Sequence, residues 1–161
     1  MKVRIEQIYD CDTKNYLEQF FNVDSRSDRE VNGAGAVSFS VLKSHCDDKV
    51  WSHVAEAVHP VNAAAPVRKI FGETTRMEEH ATWRLGTNTI ELSYVPEKMK
   101  DKISCRGQIQ ANSTSDGKTR ITMDLDINVK IFGVGGLVEK LVAKECPDAF
   151  AKDCEYFNKN K

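Results

Sequence analysis

Glu79 is the residue whose type and position most invite chemistry. Alternation from Thr74 to Leu85 puts Thr75, Met77, Glu79, Ala81 and Trp83 on one face of a strand and Thr74, Arg76, Glu78, His80 and Thr82 on the other. A carboxylate therefore falls on the apolar side. Burying it unpaired is costly or shifts its pKa upward. An inward Glu79 must then pair with a cation, anchor a polar group of a bound molecule, or work as acid or base in a desolvated pocket, with Tyr94 or His53 nearby. The reading without chemistry is a bulge or strand end that turns it to solvent.

The remaining reactive residue types fall into structural roles. His45, Cys46, Asp47 and Asp48 have the composition of a metal cluster, but adjacent residues cannot all face one ion and no second ligand pair stands at a productive spacing. They read as a charged hairpin turn, and no metal is expected. His53 and His59 are isolated and His80 lies among outward polar positions, so each reads as a surface or satisfied histidine. There is no Gly-x-Ser-x-Gly elbow and no His-Glu-x-x-His helix. Gly133, Gly135 and Gly136 precede a helix but lack the Lys-Ser/Thr of a phosphate loop, and Val138 stands where a dinucleotide fold needs its third glycine. They make a tight turn. Cys11, Cys46, Cys105, Cys146 and Cys154 are an odd, scattered set and read as reduced, structural thiols. No catalytic residue and no cofactor is assigned.

The elements that must position Glu79 are mostly strands. Lys2 to Tyr9 alternates as a first strand, with Val3 and Ile5 on one face. Asp12 offers an N-cap to a short helix whose stripe is Tyr16, Leu17, Phe20 and Phe21. Asp24 to Glu30 is almost wholly charged or hydroxylic, which suits either a second helical turn or a solvated connection. Period two returns from Ala34, with Val37, Phe39 and Val41 on one side. Lys49 to Val58 is a further strand whose inner face is ambiguous. His59 to Gly72 holds Pro60 and Pro66 and is a long apolar connection or a short helix on the sheet edge.

Four strands follow. Gly86-Thr87-Asn88 and Asp116-Gly117 turn two hairpins, Thr74–Leu85 with Thr89–Val95 and Ile103–Asn112 with Lys118–Ile131. Gly107 sits on an apolar face and marks a bend or space left for a ligand. The C-terminal stretch is helical, with a stripe of Leu137, Val138, Leu141 and Val142 before Pro147 and another of Cys146, Phe150, Cys154 and Phe157 after it. The stripe centres differ by roughly 140° at about 100° per residue, so the spacing predicts a kink at Pro147, with a complete break as the alternative.

The composition bounds the partners. With 161 residues the chain is one domain able to bury a full core. Its 23 basic and 24 acidic side chains give a net charge of -1, so no one-signed field points to nucleic acid or to an anionic membrane. Lys2, Arg4, Glu6, Asp10 and Asp12 interrupt the first twenty residues, leaving neither a signal core nor a spanning segment. A cytoplasmic protein without stable membrane insertion is expected.

The element order, together with Pro66-Val-Arg-Lys69 leading to Gly72, Glu78-Glu79 followed by Trp83, and the run from Asp126 to Glu139, resembles the START-like or helix-grip superfamily and, within it, an uncharacterised bacterial family. The resemblance implies an α+β fold: about seven antiparallel strands curved around a long C-terminal helix, with two short helices between strands 1 and 2. It also implies an apolar ligand of lipid, sterol or polyketide type between sheet and helix. The residues expected to line that space are Phe39, Val41, Met77, Glu79, Trp83, Tyr94, Ile109, Met123, Leu125, Leu141, Val142 and Phe150, and the connection 60–71 is expected near its mouth. Two rival functions remain at this level: a cyclase or dehydratase using Glu79, and a filled domain that meets a protein partner through an apolar patch at Val61 to Phe71.

Overall fold

Seven strands make one antiparallel sheet in the order β1-β7-β6-β5-β4-β3-β2. They are β1 Lys2–Tyr9, β2 Ser38–Cys46, β3 Val50–Pro60, β4 Thr74–Arg84, β5 Thr89–Pro96, β6 Ile103–Ser113 and β7 Thr119–Val129. Strands β2 to β7 are a meander, and β1 closes it by pairing with β7, from Lys2 opposite Asp126 to Tyr9 opposite Thr119. The computed structural model describes every residue from Met1 to Lys161.

Between β1 and β2 lie α1 (Thr13–Phe21), α2 (Val23–Asp28) and a π-helical turn, Arg29–Ala34. Asp12 caps α1 as expected, its Oδ1 accepting the Asn15 N–H at 2.8 Å, and Asn22 caps α2 through Ser25 in the same way. Tyr16, Leu17, Phe20 and Phe21 are the buried face of α1. The charged stretch after Asp24 is thus helical rather than a solvated connection. It ends at Gly35, whose φ of 88° needs a glycine.

The connection 59–72 resolves into a strand extension and a short helix, α3 (Ala65–Phe71), with Pro66 in its first turn. Val61, Val67 and Phe71 are buried with Val138 in a satellite core beside Ile103, Val129 and Ile131. The apolar patch expected there as a protein-docking surface is therefore covered by the fold itself. The inner face of β3 is Trp51, His53, Ala55 and Ala57, which brings a histidine inside.

Helix α4 (Gly135–Asn160) runs unbroken through Pro147, so the two-helix alternative is not realised. Its buried residues are Val138 near one end and Asp153, Cys154 and Phe157 near the other. Leu137, assigned to the inner stripe from its spacing, is instead 43% exposed, because its neighbour Val138 is the residue of that turn seated in the satellite core. The main core joins β1, β4 to β7 and α1 through Ile5, Tyr9, Tyr16, Phe20, Ile109, Met123 and Leu125.

Candidate functional site

Arg26, Arg29 and Glu30 stand at i, i+3 and i+4 and so share one face of the α2–π-turn segment. That face is turned inward. Arg26 is 6% exposed and Arg29 3%, an unusual fate for arginines unless each is paired. Arg26 Nη2 donates to Glu79 Oε2 at 2.9 Å, and its Nη1 lies 2.6 Å from Glu30 Oε1. The other Glu79 oxygen lies 2.8 Å from His53 Nε2, and since a carboxylate only accepts, His53 carries its proton on that nitrogen. The guanidinium also rests over the Phe20 ring, 4.4 Å from its centroid, with Phe39 at 5.4 Å.

A second clasp lies beside the first. Arg29 Nε donates to Asp153 Oδ1 at 2.9 Å, and Tyr9 donates its hydroxyl to Asp153 Oδ2 at 2.6 Å. This joins the π-turn, α4 and β1 beneath the surface. Asp153 occupies the apolar stripe between Phe150 and Phe157, the helical counterpart of Glu79 on its strand.

The charges sort themselves by pairing. Burial alone would push the Glu79 carboxyl up, but the Arg26 charge and the His53 hydrogen bond outweigh it and hold the group at about 2. Glu30 goes the other way: burial raises it, Arg26 offsets this only in part, and the Glu79 charge adds to the rise. One guanidinium thus serves two carboxylates. Glu79 is ionised and its oxygens are occupied, so near neutral pH it has no proton to give and little basicity to offer. The acid–base role weighed for it from sequence lacks a free group.

The positions expected to line a pocket divide into three groups. Ile109, Met123 and Leu125 are buried in the main core under α1, and Trp83 is held by a stack with Phe21 and Trp51 while its Nε1 donates to the Thr87 carbonyl at 2.8 Å. Phe39 and Val41 pack with Ala55 and Ala57 beside the Arg26 guanidinium. Met77, Tyr94, Leu141, Val142 and Phe150 remain half-buried, as do Val129 and Cys146. Tyr94, Val129, Val142, Cys146 and Phe150 pack against the main core, and Leu141 against the satellite core of Val61, Val67, Phe71 and Val138. Tyr94 pairs with Glu79 on β4 and Cys105 on β6, and Val142, Cys146 and Phe150 come to the same core from α4. Tyr94 lies deep enough for burial, and then the Glu79 charge, to push its hydroxyl well above 10, yet its ring keeps accessible surface.

Arg26, Arg29, Glu30 and Asp153 were not picked out by sequence reasoning. Their signal is a pairing of counts: two arginines on one short amphipathic face, and two carboxylates, Glu79 and Asp153, stranded on apolar faces. The cluster at His45 is an Asx turn in which Asp47 Oδ1 accepts the Lys49 and Val50 N–H groups at 2.8 Å. No group of three or more His, Cys, Asp or Glu side chains is placed to hold a metal ion. No helix is long and apolar enough to cross a membrane.

A seven-stranded antiparallel sheet gripping a long C-terminal helix, with short helices between β1 and β2, is the helix-grip fold. The chain belongs to the family described as Protein of unknown function (DUF2505), whose model matches residues 4–159. Among solved structures it is similar to TTHA0849 from Thermus thermophilus, with a TM-score of 0.73, 16% identity, and 99% of this chain and 95% of that one covered. A START superfamily protein from Mycobacterium smegmatis superposes with a TM-score of 0.66 at 14% identity over 98% and 97% of the two chains. The Zhui aromatase/cyclase of a Streptomyces strain gives 0.68 at 10% identity over 96% and 92%. A search of curated proteins finds no match.

Proposed function

We propose that the protein binds an uncharged, largely apolar small molecule between the concave sheet face and the middle of α4. The observation that carries this is the burial of the helix at both ends only. Val138 and the Asp153–Phe157 stretch are seated, while the inward Val142, Cys146 and Phe150 between them stay half-buried. A helix of 26 residues bridging a concave surface leaves space under its middle. The walls of that space are Met77, Tyr94, Val129, Val142, Cys146 and Phe150.

The polarity of the ligand follows from the charges around it. Arg26 is already shared by Glu79 and Glu30, so no cation is left for an acidic head group, and a second buried anion would meet repulsion. The open polar group is the Tyr94 hydroxyl, which suits an alcohol or a carbonyl. The aromatase/cyclase among the similar structures supports an apolar ligand in this fold, while the Glu79 geometry supports carriage over catalysis.

Calorimetric titration with dodecanol and with dodecanoate tests this. Dodecanol binds and dodecanoate binds at least about tenfold more weakly, because its carboxylate has no partner. Cys146→Trp, which fills the space, abolishes binding while the thermal midpoint stays within a few degrees of the parent. Equal binding of acid and alcohol overturns the assignment of polarity. No binding of either, with Cys146→Trp unfolding the domain because the space is already filled, overturns the ligand reading altogether.

A further inference from the structure

Phe132 is fully exposed, at 103% of its reference area, on the link between β7 and α4. Leu137 on the first turn of α4 and Met99 in the β5–β6 loop are 43% and 42% exposed. Met99 is also the only residue other than glycine with a positive φ, 61°. A side chain larger than Asn or Asp held in that region stores strain, and such strain persists where function or surrounding structure requires it.

These tips lie at one end of the molecule. The Lys130 N–H donates to the Lys102 carbonyl at 2.7 Å, tying the β7–α4 link to the β5–β6 loop. Lys98 Nζ donates to the Phe71 carbonyl at 3.1 Å, tying that loop to α3. Beneath them lies the satellite core of Val61, Val67, Phe71 and Val138, and its neighbours Val129 and Val142 also pack against the main core and are among the walls proposed above for the ligand space.

The charge at this end is net positive. Segments 66–73, 97–102 and 130–145 carry eight Lys and Arg against five Asp and Glu, although the whole chain is at -1. Arg68, Lys69, Lys100, Lys102, Lys130 and Lys140 are all exposed, and the ion pair formed here, Glu97 with Arg76 at 3.8 Å, takes away an acid rather than a base. Protruding apolar tips ringed by free lysines are complementary to a surface that is anionic outside and apolar a few ångströms within.

We propose that this end docks on an anionic lipid bilayer, with Phe132, Leu137 and Met99 entering the interface and the lysines meeting its head groups. It is peripheral docking, in keeping with the absence of a spanning helix. The near-zero net charge of the whole chain conceals it, since the rest of the chain is net negative. It goes beyond the proposed ligand binding, and it places the mouth of the proposed ligand space against a source of apolar molecules.

Flotation with vesicles tests it, using phosphatidylcholine alone and phosphatidylcholine mixed with phosphatidylglycerol. The parent protein floats with the mixed vesicles, is released by high salt, and stays behind with the neutral ones. Phe132→Ser weakens recovery by about tenfold or more, given an aromatic side chain lost from the interface, and it cannot disturb folding because Phe132 packs against nothing. Lys130→Glu with Lys140→Glu weakens it by about 20-fold or more, at roughly fivefold per lysine. Cys146→Trp still floats, which keeps this proposal separate from the ligand reading. Equal recovery on both vesicles, or full recovery of Phe132→Ser, overturns it. So does self-association of the parent, abolished by Phe132→Ser and seen by light scattering without lipid, which would assign the end to a second copy.

Discussion

Replacing Glu79 by Gln removes the anion that Arg26 and His53 share, and the loss of stability can be reached by two routes. The first is linkage. A carboxyl at about 2 in the folded chain against an ordinary 4.5 is stabilised by about 3 kcal/mol, at about 1.4 kcal/mol per pKa unit. The second is the cost of breaking a buried ion pair from one side, about 3–5 kcal/mol. Glu30 stays bonded to Arg26 in the variant, which favours the lower end. We expect Glu79→Gln to lose about 3 kcal/mol in urea unfolding, or roughly 6–12 °C in thermal midpoint for a chain of this size. Arg26→Met should cost more, because it strands two carboxylates rather than one cation. In the double variant the two losses should fall short of their sum by at least about 1 kcal/mol. Additive losses, or a Glu79→Gln variant within about 0.5 kcal/mol of the parent, would refute the shared-cation arrangement.

The same linkage sets the pH dependence. Because the folded Glu79 binds its proton less readily than the unfolded chain does, its contribution is complete above about 4.5 and disappears as pH falls toward 2. Glu30, whose carboxyl is raised, works in the opposite sense: it costs stability as pH rises through its elevated value. Glu30→Gln should therefore flatten that opposing slope, as read from unfolding at a series of pH values. Asp153→Asn leaves Arg29 buried without its anion and should cost about 3–5 kcal/mol, with hydrogen exchange rising first in the C-terminal half of α4. Gly107→Ala should cost about 3 kcal/mol, since the new Cβ would stand 1.9 Å from the Asp124 carbonyl oxygen; a loss under about 1 kcal/mol would mean the strand relaxes. Burial pushes the thiols of Cys105 and Cys146 to about 12 and about 11, so at pH 8 exposed Cys46 should react with a disulfide reagent well before either. Occupancy of the space by dodecanol should slow Cys146 further.

Much of the strand layout was legible because its signals are local. The alternation of β7 from Ile121 to Ile127 is reproduced in its burial, and the turn at Asp116-Gly117 follows from backbone conformations that few residues adopt. The cap at Asp12 and the inward placement of Glu79 are local too. Legibility failed where partners are distant in sequence. Arg26 and Glu79 lie 53 positions apart and Arg29 and Asp153 124 apart, and no periodicity links them. The stretch around Arg26 reads equally as a helical turn or a solvated connection, and neither reading buries its arginines, because charge usually marks surface, a rule that paired buried ions break. Phe132 falls in the link after β7, and nothing in the spacing of its neighbours says that the link lifts it clear of the core.

From its residue pattern alone this chain determines which faces of its strands and helices shun water, because that depends only on spacing within each element. Tertiary structure decided which stranded carboxylate meets which arginine, how far α4 is seated, and which apolar side chains are left outside. Those outcomes depend on the distance between elements, and that distance is set by the packing of the whole sheet against α1, the π-turn and α4 rather than by any one segment.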